Sequence, residues 1–395
     1  MKKESGGATI KDVARETNLA ISTISKYMNG GKVRKKNQEL IEAAVRKLHY
    51  FPNNTARWLR TSRSYRIGVV SGIVNSPHTS SILNEIEKYL RNQGYSVSFF
   101  SFDINLIDKN LDKTKGYIRY MIENGMDGML LTIPGNCNGN LQLPEDLGIP
   151  VVTIEENSGV IHGDCVQTSC TIGAYEMTEY LINHGHRKIA IIEGRNNSLT
   201  AEERMRGYYR AMEDYGIAVR PEYVVRGEYK YQGGYRGIHE LWKLKDRPTA
   251  VFSTNYDMSM GAMEAVYDLG IQIPEELSIA VFDDFELSMM VRPKLTSVRQ
   301  PLVEIADAAC QLLIRRINGD YSDYPRRIRL KPFCIYRDSV CDLNKKEKNP
   351  EEERFRNGIA VLLNGNPILY RRLFLLFIFR YEDFVQTCRN GILHL

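Results

Sequence analysis

Apolar positions along this chain fall into two rhythms. From residue 67 to about 340, short apolar runs recur at 67–70, 95–102, 128–133, 151–154, 189–193, 250–254 and 277–282, each the length of a buried strand. Between them, stretches such as 82–92, 172–183, 204–215 and 258–269 place apolar residues every three or four positions and predict helices. Strands that are apolar throughout and separated by helices belong to parallel sheets covered on both faces. About 270 residues of this pattern suit two doubly wound lobes better than one. A ligand in such a fold binds beyond the carboxyl ends of the strands, here in the cleft between the lobes.

The second rhythm occupies residues 8–50, where short helices alternate with tight turns. Thr9 and Asp12 have the spacing of a capping box, and Ile10, Val13 and Ala14 form an apolar stripe behind it. Asn18-Leu19-Ala20 makes a turn. A second helix follows from Ile21 to about Met28, burying Ile24 and Met28 and turning Ser22, Thr23 and Lys26 outward. Asn29-Gly30-Gly31 stops it. A third helix is expected from about Asn37 to Leu48, with Leu40, Ile41, Ala44, Val45 and Leu48 inward. Two short helices on a tight turn with a third bracing them describe a helix-turn-helix, whose second helix fits a major groove. A small helical bundle with a solvated basic face is the plainer alternative.

Charge separates these alternatives. The chain has 395 residues, 43% hydrophobic and 26% charged, which is globular composition and excludes collagenous, disordered and polytopic membrane classes. Its net charge is +5, yet residues 1–66 hold fifteen Lys/Arg against five acids, +10, leaving −5 for the remainder. A basic head on a mildly acidic body points to a polyanion as the head's partner. Lys32, Arg34, Lys35 and Lys36 form the densest cluster and read equally as phosphate contacts or as a solvated run.

The remaining chemistry is sparse. Seven cysteines (137, 165, 170, 310, 334, 341 and 388) lack metal or redox spacing and read as free cytosolic thiols. His162, His184, His186 and His239 have no matching nucleophile or metal spacing. No Gly-rich phosphate loop is present, so no enzyme, metal or cofactor is expected. His184 and His186 lie in a helix-to-strand turn, where hydrogen bonding to backbone explains them. The basic start has no apolar run behind it, so no signal peptide is expected and the location reads as cytoplasmic. The longest apolar run of the tail, 373–379, has seven residues, far short of the roughly 20 of a membrane span. That tail, 341–395, reads either as a partner-binding extension or as a segment with no packed role.

Thr9-Ile-Lys-Asp-Val-Ala-Arg15, Ser22-Thr-Ile-Ser-Lys-Tyr-Met-Asn-Gly30 and Leu48-His-Tyr-Phe-Pro-Asn53 with Ala56, Arg57 and Leu59 carry a family likeness. So do Ile67-Gly-Val69, Gly185-His-Arg-Lys-Ile-Ala190, Arg204 with Gly207-Tyr208, Pro248-Thr-Ala250, Asn255, Gly261-Ala262, Asp283-Asp284, and Pro293 with Leu295-Thr-Ser-Val-Arg-Gln-Pro301. In this order and spacing the chain resembles the LacI/GalR transcriptional regulators over about residues 8–340. The resemblance implies an all-α helix-turn-helix domain (8–52), a hinge (53–66), two periplasmic-binding-protein-like α/β lobes (67–340) and an atypical tail. It implies an effector-responsive repressor of carbohydrate-related genes, acting on operator DNA as a homodimer or a tetramer. A cytoplasmic sugar-binding module without specific DNA recognition is the alternative.

By the same resemblance Ile21, Ser22 and Lys26 face base edges, and Thr23 and Ser25 lie nearer phosphates. Thr9 joins the DNA-binding set, Asn53, Ala56 and Arg57 line the minor groove, and Leu59 is its wedge; linker packing is the bland reading of Leu59. Arg204, Asn255 and Asp283 are implied as effector contacts, with Glu155 a further acceptor and Ser76, His78 and Thr79 on the first lobe's loop. Surface pairing of Arg204 with Glu202 or Glu203, a turn role for Asn255 and helix capping by Asp283-Asp284 are the structural alternatives. The chain departs from the family at Ala20 and Arg34, where Ser usually caps a helix, at Ser169-Cys170, at Asn255-Tyr256-Asp257 and in the loop 72–79. A lost cap costs about 0.5–2 kcal/mol, so the head leans on DNA or dimerisation.

Overall fold

The computed structural model describes residues 8–28, 31–50, 63–71, 76–101, 119–132, 148–155, 163–196 and 198–346. Its head is three helices, α1 (Ile10–Thr17), α2 (Ile21–Met28) and α3 (Lys35–Leu48). The carboxylate of Asp12 accepts from the Thr9 N–H at 2.9 Å and from the Thr9 hydroxyl at 2.7 Å, closing the first turn of α1. Asn18 ends α1 in the left-handed region, φ 52°, where a short polar side chain is tolerated. Val13, Ile24, Ile41, Ala44 and Tyr50 form the small core. Around it Tyr27 donates to Glu42 at 2.5 Å and Lys47 pairs with Glu16 at 2.7 Å, tying α2 and α1 to α3.

Two expectations for the head need correction. The third helix starts two residues earlier, at Lys35, because Arg34 takes the extended backbone of an N-cap although its side chain makes no cap bond. Leu40 is 41% exposed, since Ile41 and Ala44 already fill the narrow space against α1.

The first lobe is built on β1 (Arg66–Ser71), β2 (Ser96–Ser101), β3 (Gly128–Thr132), β4 (Val151–Ile154) and β5 (Asp164–Thr168), with the helix α4 (Pro77–Asn92) after β1. The second lobe then runs through α5 (Cys170–Asn183), β6 (Ile189–Glu193), α6 (Leu199–Asp214), β7 (Val224–Arg226), α7 (Tyr231–Lys243), β8 (Ala250–Ser253), α8 (Tyr256–Asp268), β9 (Ser278–Phe282), α9 (Glu286–Met290) and β10 (Thr296–Arg299). The chain returns to the first lobe for α10 (Leu302–Ile317) and β11 (Arg327–Leu330). It ends in the second with β12 (Phe333–Ile335) and α11 (Leu343–Lys346).

The first sheet has the order β11-β5-β4-β3-β1-β2 and is parallel throughout. Ile82, Ile86 and Leu90 of α4 and Ile305, Ala309 and Leu313 of α10 cover it, against Ile67, Val69, Leu130, Val152 and Val166. The second sheet has the order β12-β10-β9-β8-β6-β7 and is parallel except for β12, which runs antiparallel to β10. Successive strand residues point to opposite faces. Ile189 and Ile191 therefore meet Met177, Leu181 and Tyr208 on one side, while Ala190 and Ile192 meet Ile238, Met258 and Ala262 on the other.

The lobes are joined by three strands of chain, 168–170, 299–302 and 330–333. Packing continues past residue 340. Cys341 donates its N–H to Ser278 at 2.8 Å, and Leu343 donates its N–H to the His184 carbonyl at 2.9 Å. The second lobe thus extends to residue 346, and the tail begins later than expected because these backbone bonds hold 341–346 against it. Among the described residues no helix is long and apolar enough to cross a membrane.

Candidate functional site

Two surfaces carry the chemistry. On the head, Ile21, Ser22 and Lys26 are exposed along one side of α2, with Ile21 44% accessible although apolar. Thr23 and Ser25 are half-buried on its flanks, and Ile24 faces the core. The Thr9 hydroxyl is engaged with Asp12, which gives it a structural task. Lys32, Arg34, Lys35 and Lys36 are exposed and belong to no ion pair among the described residues. They surround the N-terminus of α3, where cations oppose the helix dipole unless an anion intervenes. Asn53, Ala56, Arg57 and Leu59 lie outside the described residues.

The second surface is the cleft where the carboxyl ends of both sheets meet. Glu155 directly follows strand β4 and Asp283 directly follows strand β9, and both acids take left-handed backbone, φ 70° and 78°. A non-glycine residue held there costs of order 1–3 kcal/mol, and such residues concentrate at functional sites. Each is fixed by its own N–H, Glu155 to the Val166 carbonyl at 2.8 Å and Asp283 to the Val298 carbonyl at 2.9 Å. The two lobes therefore present one carboxylate each in the same manner.

Arg204 reaches this place from α6. The helix lies close enough to α5 that a Cβ on Gly207 would stand 2.4 Å from the Thr171 carbonyl oxygen, so glycine permits the approach. Arg204 is only 5% exposed, which removes surface pairing with Glu202 or Glu203 as its explanation. One of its Nη atoms donates to the Thr254 carbonyl, the other stands 3.9 Å from Asp283, and the guanidinium sits 4.0 Å over the Phe282 ring. Gln300, in the second crossing between lobes, donates to Asp283 at 2.6 Å. The Thr168 hydroxyl, at the first crossing, lies 2.8 Å from the Gln300 oxygen and 3.1 Å from Glu155. Burial, only partly offset by His78 and by that hydroxyl, holds the Glu155 carboxyl above its usual range. The Thr168 hydroxyl has one proton, so it donates to Gln300 or to Glu155 at any moment. Thr168 and Gln300 thus place polar side chains within hydrogen-bond distance of one another from Glu155 across to Asp283. Cys170 lies beside Arg204, and burial pushes its thiol up to about 12, so it stays protonated.

The other expected residues have local duties. Asn255 caps α8, its side-chain oxygen accepting from the Met258 N–H at 3.0 Å, which matches the turn alternative and leaves its amide NH2 to donate elsewhere. Ser76 caps α4, accepting from the Thr79 N–H at 3.1 Å and donating to the Thr79 hydroxyl at 2.9 Å. Asp283 caps no helix. Asp284 instead binds Arg337, Arg299 and Ser297. His184 and His186 bond backbone carbonyls of Tyr180 and Cys341, as their turn position suggests.

Sequence reasoning missed Tyr229, Thr168 and Gln300. Tyr229 sits with Glu228 in a turn of two left-handed residues, φ 58° and 60°, and its ring centroid is 5.8 Å from the Arg204 guanidinium. The ring lies against Gly194, where a Cβ would come within 2.2 Å of it. An aromatic just after a short strand is the signal that could have found it. Among the described residues no group of His, Cys, Asp and Glu is arranged to hold a metal.

Comparison with known proteins matches two segments of the chain. Residues 9–53 match the bacterial regulatory proteins of the lacI family, and residues 178–340 match the periplasmic binding protein-like domain. The ribose operon repressor of Haemophilus influenzae is 30% identical over 339 residues, 85% of this chain and 99% of its own length. The transcriptional repressor PurR of Pasteurella multocida is 30% identical over 335 residues, 84% of this chain and 98% of its own. The Lac repressor dimer bound to operator and the anti-inducer ONPF shares the fold, with a TM-score of 0.74 at 21% identity, covering 85% of this chain and 100% of that one. These relatives are regulators and not enzymes. The chain belongs to the lacI family, as a sequence-specific DNA-binding transcriptional repressor that responds to a small-molecule effector.

Proposed function

We propose that the chain is a cytoplasmic, homodimeric repressor of carbohydrate-related genes, whose cleft takes an uncharged sugar or sugar derivative. One observation carries the ligand reading. Among the described residues, five buried side-chain polar atoms lack a hydrogen-bond partner. Of these, Ser71 Oγ ends β1, His78 Nε2 lies in the first turn of α4, Arg195 Nε follows β6, and Arg204 Nε belongs to the α6 side chain beside Asp283. Each unmade bond costs about 1–3 kcal/mol, which a bound ligand relieves. Arginine donors facing Asp283 and Glu155 acceptors suit hydroxyls, which do both. The Arg204–Asp283 pair balances its own charge, which favours a neutral ligand over a phosphate. The naming of one relative as a ribose operon repressor agrees. Arg204, Asp283, Glu155, His78 and Tyr229 are the contacts, with Asn255 supplying its amide; Ser76 and Thr79 shape the rim.

On DNA, two copies of α2 enter successive major grooves of a near-palindromic operator. Ile21 meets a thymine methyl, Ser22 and Lys26 reach base edges, and Thr23, Ser25 and the Lys32–Lys36 cluster meet phosphates. Asn53, Ala56 and Arg57 lie in the minor groove, with Leu59 wedged between bases. Sugar binding rotates the first lobes and alters the spacing of the two heads, so affinity follows the ligand.

The test is Arg204→Ala. Operator titration without sugar should stay within about twofold of the parent, while neutral pentoses and hexoses should no longer change it. An unchanged sugar response in the variant rejects the cleft reading.

A further inference from the structure

Glu203 and Arg329 are joined at 2.8 Å, and they belong to different lobes. Glu203 lies on α6 of the second lobe, next to Arg204; Arg329 lies on β11 of the first, one residue before the strand ends ahead of the third crossing. The two ends of the pair differ in their surroundings. The Glu203 side chain is 3% exposed, while that of Arg329 is 52% exposed. Arg329 has water as an alternative partner. Glu203 has none, and Arg329 is its one ion-pair or hydrogen-bond partner among the described residues. A buried carboxylate deprived of its cation is strongly destabilised.

We propose that this pair is a latch between the lobes that sets the balance of lobe arrangements, and through it operator affinity. A rotation that carries β11 beyond the reach of the Arg329 side chain from α6 strands the carboxylate. Its place one residue before Arg204 means that lobe movement and ligand contact share a single helical turn. The neighbouring Thr168–Gln300–Asp283 chain also crosses the lobes. That chain, however, is buried throughout, and a bound ligand can replace its bonds, whereas nothing in the cleft replaces Arg329. The latch rests on the reading that lobe arrangement, set by a ligand in the cleft, governs the heads.

The test uses full-length protein and a duplex from its own upstream region, titrated alone and with a panel of neutral pentoses and hexoses beginning with D-ribose. Glu203→Gln and Arg329→Gln should each shift sugar-free operator affinity about fivefold in the same direction, and the double variant should shift it no further. The exchanged pair, Glu203→Arg with Arg329→Glu, should return it to within about twofold, a recovery that a purely structural loss would not show. Arg329→Gln alone keeps the test decisive if changes at buried Glu203 impair folding, because Arg329 is half exposed. If Arg329→Gln leaves operator affinity at the parent value, the latch is overturned, and the cleft reading then stands or falls on the parent's response to sugars. If the variants shift affinity as expected while no sugar affects the parent, the latch stands and the sugar reading fails.

Discussion

The head and the second lobe solve the same problem of burial on very different terms. The head closes three helices around five buried side chains, and two of those helices begin without a side-chain cap, at Ala20 and Arg34. The second lobe packs helices on both faces of its sheet and buries two large clusters, one on each side. A single core in a unit of the head's size rarely supplies more than about 3–5 kcal/mol. The lesson is one of reserve: the reader of DNA stands near its stability limit, and the sensor of ligand does not.

The largest effect that sharpens this contrast comes from one kind of truncation made twice. Ile24→Ala in the head and Leu181→Ala in the second lobe's core should each cost about 2–5 kcal/mol. In calorimetry the first should erase the head's transition and operator binding with it, while the second should lower the lobe transition and leave the protein folded at 25 °C. Equal survival of both units would break the comparison.

Acid should act next, and mainly on the body. Burial alone would raise the Asp284 carboxyl, but hydrogen bonds from Arg337, Ser297 and Arg299 outweigh it and hold it at about 2, against an ordinary 3.8. A depressed carboxylate contributes stability that is fully present above its unfolded value and lost as pH falls through its folded value. Lobe stability, followed by tryptophan fluorescence, should therefore fall between pH 3.8 and about 2. The Asp284→Asn variant should flatten that part of the profile; an unaltered profile would count against the network. The head's Asp12 is lowered too, by its bonds to Thr9, but it is exposed and contributes little.

The smallest effect is a gain. Ala20→Ser should restore a cap acceptor at the start of α2 and raise head stability by about 0.5–2 kcal/mol, read as a higher midpoint of the head's transition. No gain would mean that the backbone at residue 20 does not present a hydroxyl to the free N–H groups of the first turn.

The head was legible almost residue by residue because its helices announce themselves locally, through Thr9 with Asp12, Asn18, and the spacing of Val13, Ile24 and Ile41. Its start at Lys35 was hidden by cations that resemble a loop. In the body, β4 and β6 were readable to the residue, since Val151–Ile154 and Ile189–Glu193 are almost wholly apolar. Strands β5, β10 and β11 were not, because Asp-Cys-Val-Gln-Thr, Thr-Ser-Val-Arg and Arg-Ile-Arg-Leu break the apolar run that marks a strand. Nor does any local pattern show that α10 returns to the first lobe. Arg204 and Asp283 were found because strand ends and a motif point at them. Gln300, Thr168 and the Glu203–Arg329 pair were not, because their meaning lies in partners up to 132 residues away.

Asp127 shows where movement enters the head. Its carboxylate accepts from the Ser64 N–H and hydroxyl at 2.8 and 3.0 Å and from the Tyr65 N–H at 2.8 Å, while Arg63 donates to Asn318 at 2.8 Å and to the Ile317 carbonyl at 3.0 Å. Those five bonds rivet residues 63–65 to the first lobe. Torque from that lobe is thus delivered at residue 63, and a turn of the second lobe reaches that point through its neighbour.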